Sequence, residues 1–238
     1  MHQSSYVKME AFREKYLTPY ENERLAILDL GSQDVNGSYR AIFDSPFWEY
    51  RGADMIAGDN VNIILSDIYN WEELESDSVD VFISGQTFEH IEYIWLTMKE
   101  IQRILKPGGL CCIIAPSGGF EHKYPVDCWR IYPDGFSALA NYAGLETLEV
   151  YAQWESLNYP DGSDVWQDCI LVAKKTGSDI IKRFDGLNAA YNKEQTLLKD
   201  IVLRKVREQA AGQKNEIGHQ PQKKQHVSFY KRLKLFFT

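Results

Sequence analysis

The apolar residues 25–30 run straight into Gly31, and the polar stretch Ser32, Gln33, Asp34, Val35, Asn36 and Gly37 follows. An unbroken apolar run of this length reads as a strand buried on both faces, the habit of parallel sheets. Glycine where the strand ends lets the backbone come close to a ligand. A helix beginning near Ser38 would offer free N–H groups beside it. A nucleotide-like cofactor is the usual occupant of such a turn. The glycines stand at 31 and 37, so the spacing is not the dinucleotide G-x-G-x-x-G pattern.

The segments that follow set the architecture. Residues 48–53, 61–65, 79–84 and 110–115 are further apolar runs, ending near Asp54, Ser66-Asp67, Gly85 and Pro116. Residues 39–43 read as part of the first helix after the opening strand. Residues 91–105 have helical periodicity through Ile94, Trp95, Met98, Ile101, Ile104 and Leu105, and the break Lys106-Pro107-Gly108-Gly109 comes next. Pro133 and Gly144 bracket a helix over 133–143. Residues 145–150 and 169–173 are the last two strands, with no helix between them, which suits an antiparallel hairpin at one edge. Strands alternating with helices predict an α/β fold: a mostly parallel seven-stranded sheet with helices on both faces and an antiparallel edge strand.

Charge divides the chain. Residues 1–173 hold 11 Lys+Arg against 28 Asp+Glu, whereas residues 174–238 hold 15 against 6. An acidic body is a poor partner for nucleic acid, because phosphate binding needs a basic surface. The composition shift predicts a helical lead-in over 1–24, a main domain over 25–175, a helical extension over 176–211 and a basic linker and tail over 212–238. In the extension, Ile180, Ile181, Phe184, Leu187, Tyr191, Leu198, Ile201, Val202 and Val206 form a stripe suited to the body or to a second copy in a homodimer. Residues 227–238 are basic and aromatic. They suit an anionic membrane surface, the alternatives being docking on the acidic body or disorder.

No apolar run reaches 18 residues and no signal-peptide core is present, so a cytoplasmic chain is expected, with peripheral membrane contact through the tail as the variant. Cys111, Cys112, Cys128 and Cys169 have no framework spacing and read as reduced thiols, the adjacent pair pointing to opposite faces of a strand.

In open α/β sheets ligands lie outside the carboxyl ends of the strands, near the switch in strand order. Those ends carry residues 31–37, Asp54, Asp67 and 85–90. Asp54 and Asp67 each read equally well as a ligand contact or as a loop cap.

The order of these segments resembles the class I S-adenosylmethionine-dependent methyltransferases, in particular the type 11 group. The resemblance rests on residues 28–32, Asp54, Asp67, residues 79–84 leading to Phe88-Glu89-His90-Ile91, and above all Ile104-Leu105-Lys106-Pro107-Gly108-Gly109-Leu110. It covers about residues 25–175 and implies a Rossmann-like fold. It also implies that Gly31, Ser32 and Gln33 face the methionine moiety, with Gln86 on the same side. Asp54 would bind the ribose hydroxyls and Met55 would lie near the adenine. Asp67 and Ile68 would meet the adenine as well. The family often has a second glycine where Gln33 stands, so this turn is a variant.

A hydroxyl acceptor needs a base, whereas an amine or a carboxylate need not. His122 with Asp127 as its orienting partner is the first expectation, and His90 the second. Tyr124, Trp129 and Arg130 suit a polar, ring-shaped substrate; the bland reading is that Trp129 is core and His90 a cap. Residues 122–135 are similar to a stretch in methyltransferases that accompany glycosyltransferases of surface polysaccharides, which implies a sugar or glycan hydroxyl as acceptor. Methylation of a small metabolite or a lipid is the alternative, and a non-catalytic binding scaffold is a reading from another class. A nicotinamide-dependent dehydrogenase is disfavoured by the missing glycine pattern. His122, Asp127 and Glu121 are metal-ligand types without strong ligand spacing, so no metal site is predicted.

Overall fold

The computed structural model describes residues 2–177 and 198–217, with side chains through 212. Seven strands form one sheet: β1 (Leu25–Leu30), β2 (Trp48–Asp54), β3 (Ile63–Ile64), β4 (Val79–Gly85), β5 (Leu105–Ala115), β6 (Leu145–Ala152) and β7 (Cys169–Lys175). Their spatial order is β3-β2-β1-β4-β5-β7-β6. The first five are mutually parallel, and β7 runs antiparallel to both β5 and β6. The order reverses between β1 and β4, so a crevice opens there at the carboxyl ends.

The strand period of two assigns alternate residues to opposite faces. Leu28, Leu30, Phe82, Cys111, Ile113 and Leu171 pack beneath α2 (Ile94–Ile104) and α3 (Pro133–Ala143). Ile27, Val81, Ile83, Cys112, Ile114 and Val172 face the other way, onto α1 (Gln3–Phe12) and the turns that extend it to Tyr20. Cys111 and Cys112 therefore point to opposite faces, both as buried free thiols. α4 (Leu198–Ile217) packs along α1 through Leu198, Ile201 and Val202, and Lys205 pairs with Glu14 at 3.2 Å. That part of the apolar stripe is covered by the body of the same chain. Its earlier members, from Ile180 to Tyr191, and the tail 227–238 lie outside the described residues. Among the described residues no helix is long and apolar enough to cross a membrane.

Two expectations change. No α-helix follows β1; residues 39–43 instead hold a single 3-10 turn, Arg40–Phe43. Only 17 residues separate the two strands, and Asn36-Gly37-Ser38 and Ser45-Pro46 disfavour helix at both ends. Tyr39, Ile42 and Phe43 are buried and pin the short turn. α1 covers the sheet face where the expected helix would have packed. The second change is at β5, which starts at Leu105 rather than Leu110. Helix α2 passes directly into the strand, and Pro107-Gly108-Gly109 form a bulge: Val79 pairs with Leu105, Val81 with Leu110. Gly108 has φ +80°, and a Cβ on Gly109 would sit 2.9 Å from the Lys106 carbonyl oxygen. The predicted end of α3 holds, with Gly144 left-handed at φ +80°.

Candidate active site

The registers bring three strand ends level. Leu30 pairs with Ala53 on one side and Ser84 on the other, so Gly31, Asp54 and Gly85 meet at one rim. The Ser84 hydroxyl donates to the Leu30 carbonyl at 3.0 Å, and the Gly31 N–H donates to the Ala53 carbonyl at 2.9 Å. Gly31 has φ +74°, and a Cβ there would lie 2.0 Å from Thr87 Oγ1. A Cβ on Gly85 would lie 1.9 Å from the Tyr39 hydroxyl. Both glycines are therefore required by close approach.

A cavity of about 590 Å³ opens above this rim. That volume falls in the range of about 300–1,000 Å³ usual for small-ligand sites. Its wall includes Gly31, Ser32, Gln33, Asp54, Met55, Ile68 and Gln86, with His90 and Tyr124 on the far side. Val35, Met55 and Ile56 line it while leaving more than half of their surface exposed. Such a concentration of exposed apolar groups suits the face of a ring system. The Asp54 carboxylate accepts the Gln33 N–H and the Ile56 N–H, both at 3.3 Å. Asp29 forms part of the floor; burial pushes its carboxyl up to about 7, against the pull of the hydroxyl that Tyr50 donates to it.

The loop after β1 is held by side chains in place of a helix. Asn60, left-handed at φ +69°, donates from Nδ2 to the Ser32 carbonyl at 2.8 Å. Arg40 donates from Nε to Asn60 Oδ1 at 2.6 Å and lies 4.5 Å from the centre of the Tyr50 ring. Gly52 makes room: a Cβ there would meet the Asn60 carbonyl oxygen at 2.0 Å. Asn60, Arg40 and Gly52 were not among the sequence candidates. Their roles arise from contacts across 20 or more residues or from an approach that no local pattern marks.

On the β4 side, Gln86 is left-handed at φ +59° and donates from Nε2 to Asp168 Oδ1 at 3.0 Å. Asp168 is buried and also accepts the Ser4 hydroxyl. Helix α1 thus supports the floor, with Lys8 wholly buried and donating to Gln153 Oε1 at 2.8 Å. Burial lowers the Lys8 pKa.

The turn Phe88–His90 carries two ionisable groups inward. His90 Nδ1 lies 2.5 Å from the Val126 carbonyl oxygen, so Nδ1 carries the hydrogen and Nε2 is the free nitrogen. Nε2 stands 3.7 Å from Glu89 Oε1. Glu89 is fully buried, neither carboxylate oxygen has a hydrogen-bond partner, and burial pushes its carboxyl up to about 8.

His122 stacks edge-on behind His90 with ring centres 5.0 Å apart, and packs on Trp166 at 4.7 Å. Burial, and then His90, lower its pKa. Asp127 does approach His122, with Oδ2 3.3 Å from Nδ1 and 2.6 Å from the backbone N–H. Its main partner is Arg130, which grips it at 2.6 and 2.8 Å and donates to the Phe120 carbonyl at 2.6 Å. That ion pair holds the Asp127 carboxyl down at about 2. A carboxylate so held is a strut for the loop and a weak base.

The structure therefore separates the sequence candidates. Gly31, Ser32, Gln33, Asp54, Met55, Ile68, Gln86, His90 and Tyr124 share one cavity. His122, Asp127, Trp129 and Arg130 lie behind its wall. Trp129 donates from Nε1 to the Ile91 carbonyl at 2.8 Å and packs against the core. Asp67 is exposed, outside the cavity, and accepts the Tyr69 N–H at 2.7 Å as a turn cap. Glu89 stands in the stretch 88–91 that carries the resemblance but was not a site candidate, because only the tertiary fold buries it.

Residues 47–113, from the start of β2 into β5, match the type 11 family model described as a methyltransferase domain. Solved structures share the fold at low identity. One is a protein from Galdieria sulphuraria provisionally described as a sarcosine dimethylglycine methyltransferase, with TM-score 0.56, 16% identity, and coverage of 71% of this chain and 85% of that one. Another is the 1,6-didemethyltoxoflavin-N1-methyltransferase of Burkholderia thailandensis, solved with its substrate and S-adenosylhomocysteine, with TM-score 0.53, 13% identity, and coverage of 74% and 80%. The (4+2)-cyclase SpnF matches equally well, with TM-score 0.53, 13% identity, and coverage of 74% and 81%. No curated protein matches this chain significantly. The shared topology shows that the body has the Rossmann-like fold of these structures, and residues 47–113 within it are similar to the methyltransferase domain family.

Proposed function

We propose that this chain is an S-adenosylmethionine-dependent methyltransferase that O-methylates a sugar or glycan hydroxyl. The observation that carries the cofactor assignment is the cavity at the β1/β4 switch, where Gly31, Asp54, Met55 and Gln86 converge. The residues present fit this cofactor. Asp54, at the end of β2, would accept the ribose hydroxyls. Met55, Ile56 and Ile68 would sandwich the adenine, and the Gly31 turn with Gln86 would border the methionine end. When bound, the cofactor supplies an electrophilic methyl group. The protein's task is to align the acceptor with it and exclude water, which lowers the barrier by roughly 7–11 kcal/mol in well-oriented systems.

His90 is the base we favour. It reaches the cavity, and its free Nε2 is a proton acceptor. His122 and Asp127 stand behind it as positioning residues. Tyr124, 66% exposed at the mouth, would stack on a sugar ring. The sugar reading rests on that aromatic ring beside a polar wall and on the likeness of residues 122–135 noted above.

Calorimetric titration with S-adenosylmethionine and S-adenosylhomocysteine tests the cofactor. Micromolar binding by wild type that weakens about 10- to 100-fold in Asp54→Ala is the expected result. No binding by the folded wild type would overturn the assignment. Release of S-adenosylhomocysteine with a panel of glycosides, small phenols and lipid alcohols then tests the acceptor. Turnover confined to the lipids or phenols would overturn the sugar reading alone.

A further inference from the structure

We propose that Glu89, His90 and His122 form a binding site for a divalent transition-metal ion at the inner end of the acceptor side. Each offers one ligand atom, and these atoms all lie within 4.8 Å of one another. The three come from two segments, the turn after β4 and the loop after β5, which the fold brings together.

Three independent features of the cluster point to a cation. The first is Glu89, a wholly buried carboxyl with both oxygens unpartnered. An unsatisfied buried carboxylate is costly, and a cation is the partner that would satisfy it. The second is the state of the histidine nitrogens. His90 Nδ1 is tied to the Val126 carbonyl at 2.5 Å, the backing that metal-binding histidines characteristically have, which fixes the ring and raises ligand basicity. His122 Nδ1 is buried without a hydrogen bond, with Asp127 Oδ2 3.3 Å away. The third is rigidity. Arg130 clamps Asp127 through two hydrogen bonds, and the Cys128 N–H donates to the Glu89 carbonyl at 2.7 Å. The loop that carries His122 is thus locked onto the turn that carries Glu89 and His90.

Two imidazoles and one carboxylate select a borderline ion such as Zn²⁺, Co²⁺, Fe²⁺ or Mn²⁺ over Mg²⁺ or Ca²⁺, which prefer all-oxygen sets. Three protein ligands leave at least one coordination position open. With an ion bound, His90 Nε2 is a ligand and no longer the free base; since His90 borders the cofactor cavity, the open position would take the acceptor hydroxyl and lower its pKa in place of that base. The site itself is independent of the methyltransferase reading, because it is built from this chain's side chains alone.

The test uses the full chain, freed of metal by chelation and with no cofactor added. Titration with Zn²⁺ and Co²⁺, followed by calorimetry and by the visible absorption of Co²⁺, should give one ion per chain at micromolar affinity or tighter. Glu89→Gln and His122→Ala should each weaken binding by at least about 100-fold and abolish the Co²⁺ spectrum. Circular dichroism identifies a variant that does not fold; Glu89→Asp, which keeps the charge, should then retain the spectrum in altered form. Failure of wild type to bind a stoichiometric ion at millimolar concentration overturns the site. So does an ion held with unchanged affinity by folded Glu89→Gln and His122→Ala, which would belong to His2, His219 or His226 instead. Either failure leaves cofactor binding untouched, so it is distinguishable from failure of the proposed activity.

Discussion

The two sides of the cavity are stabilised in different ways. The β1–β2 side is fixed by backbone geometry: Gly31 packed on Thr87, and a loop latched by Asn60 onto Ser32 and by Arg40 onto Asn60. Its side chains that face the cavity are apolar or, like Asp54, already accept backbone N–H groups. The β4–β5 side gathers buried ionisable groups, and Glu89, His122 and Gln86 keep polar atoms without partners. The difference separates shape from chemistry. A constant ligand can be met by a fixed backbone surface, whereas reacting groups are served by polar atoms left available at a net cost in stability.

The sharpest way to break that comparison is to spoil the fixed side. Gly31→Val must place a branched Cβ where Thr87 sits, at a left-handed φ that disfavours it. S-adenosylhomocysteine affinity is expected to fall by at least about 100-fold. Tyr124→Ala, on the opposite wall, is expected to change it by less than about threefold. Equal losses in the two variants would show that the walls do not divide the work.

Asp29 gives the next largest effect. Its carboxyl has a pKa near 7 in the folded chain against 3.8 as a free group, so the folded state holds the proton more tightly. Stability is fully present below the unfolded value and is lost as pH rises towards 7. Asp29→Asn removes this loss while keeping an acceptor for the Tyr50 hydroxyl. From pH 5 to pH 8 the wild-type Tm should fall by about 4–8 °C more than that of the variant, on the order of 2 kcal/mol. Parallel melting curves across that window would show that Asp29 ionises normally.

How much of this was legible beforehand follows from the range of the interactions. β1, β2, β4 and α3 announce themselves through apolar runs and through Pro133 and Gly144, all local signals. The strand-end rule picks out Gly31, Asp54, Gln86 and His90 because a parallel sheet fixes where its carboxyl ends meet. β3 shrinks to Ile63–Ile64 since it is an outer strand with one neighbour. The missing helix after β1 was illegible because its place on the sheet is taken by α1, which precedes β1 and is seated there by contacts with the distant β5 and α4. Glu89, Asp168 and Lys8 were illegible for the same reason: their burial is decided by partners scattered along the chain. Asp127 and Arg130 illustrate the converse. They were noticed for their residue types, but three-residue spacing in a loop could not show that they neutralise each other.

Asn60→Ala sharpens the account of the latch. The variant removes one hydrogen bond to Ser32 and one from Arg40. It also places alanine at φ +69°, where asparagine is better tolerated. The loop would lose order without losing its place, so S-adenosylhomocysteine affinity should fall by about 10-fold, or roughly 1.4 kcal/mol. Unchanged affinity would mean that Gly31 and Asp54 suffice to shape the pocket.

The smallest effect concerns Trp129, which residue type alone associates with a substrate ring. Its indole N–H reaches the Ile91 carbonyl at 2.8 Å, and the ring packs on the core at 6.4 Å from Trp95. Trp129→Phe removes that hydrogen bond and some packing, for about 1 kcal/mol or a Tm lower by about 2–4 °C. If Trp129 only braces the loop, S-adenosylhomocysteine affinity and acceptor KM should both match wild type. A raised KM at normal Tm would instead bring Trp129 into the acceptor site. It would mean that the loop opens when substrate enters, and that the wall between His122 and the cavity is a movable one.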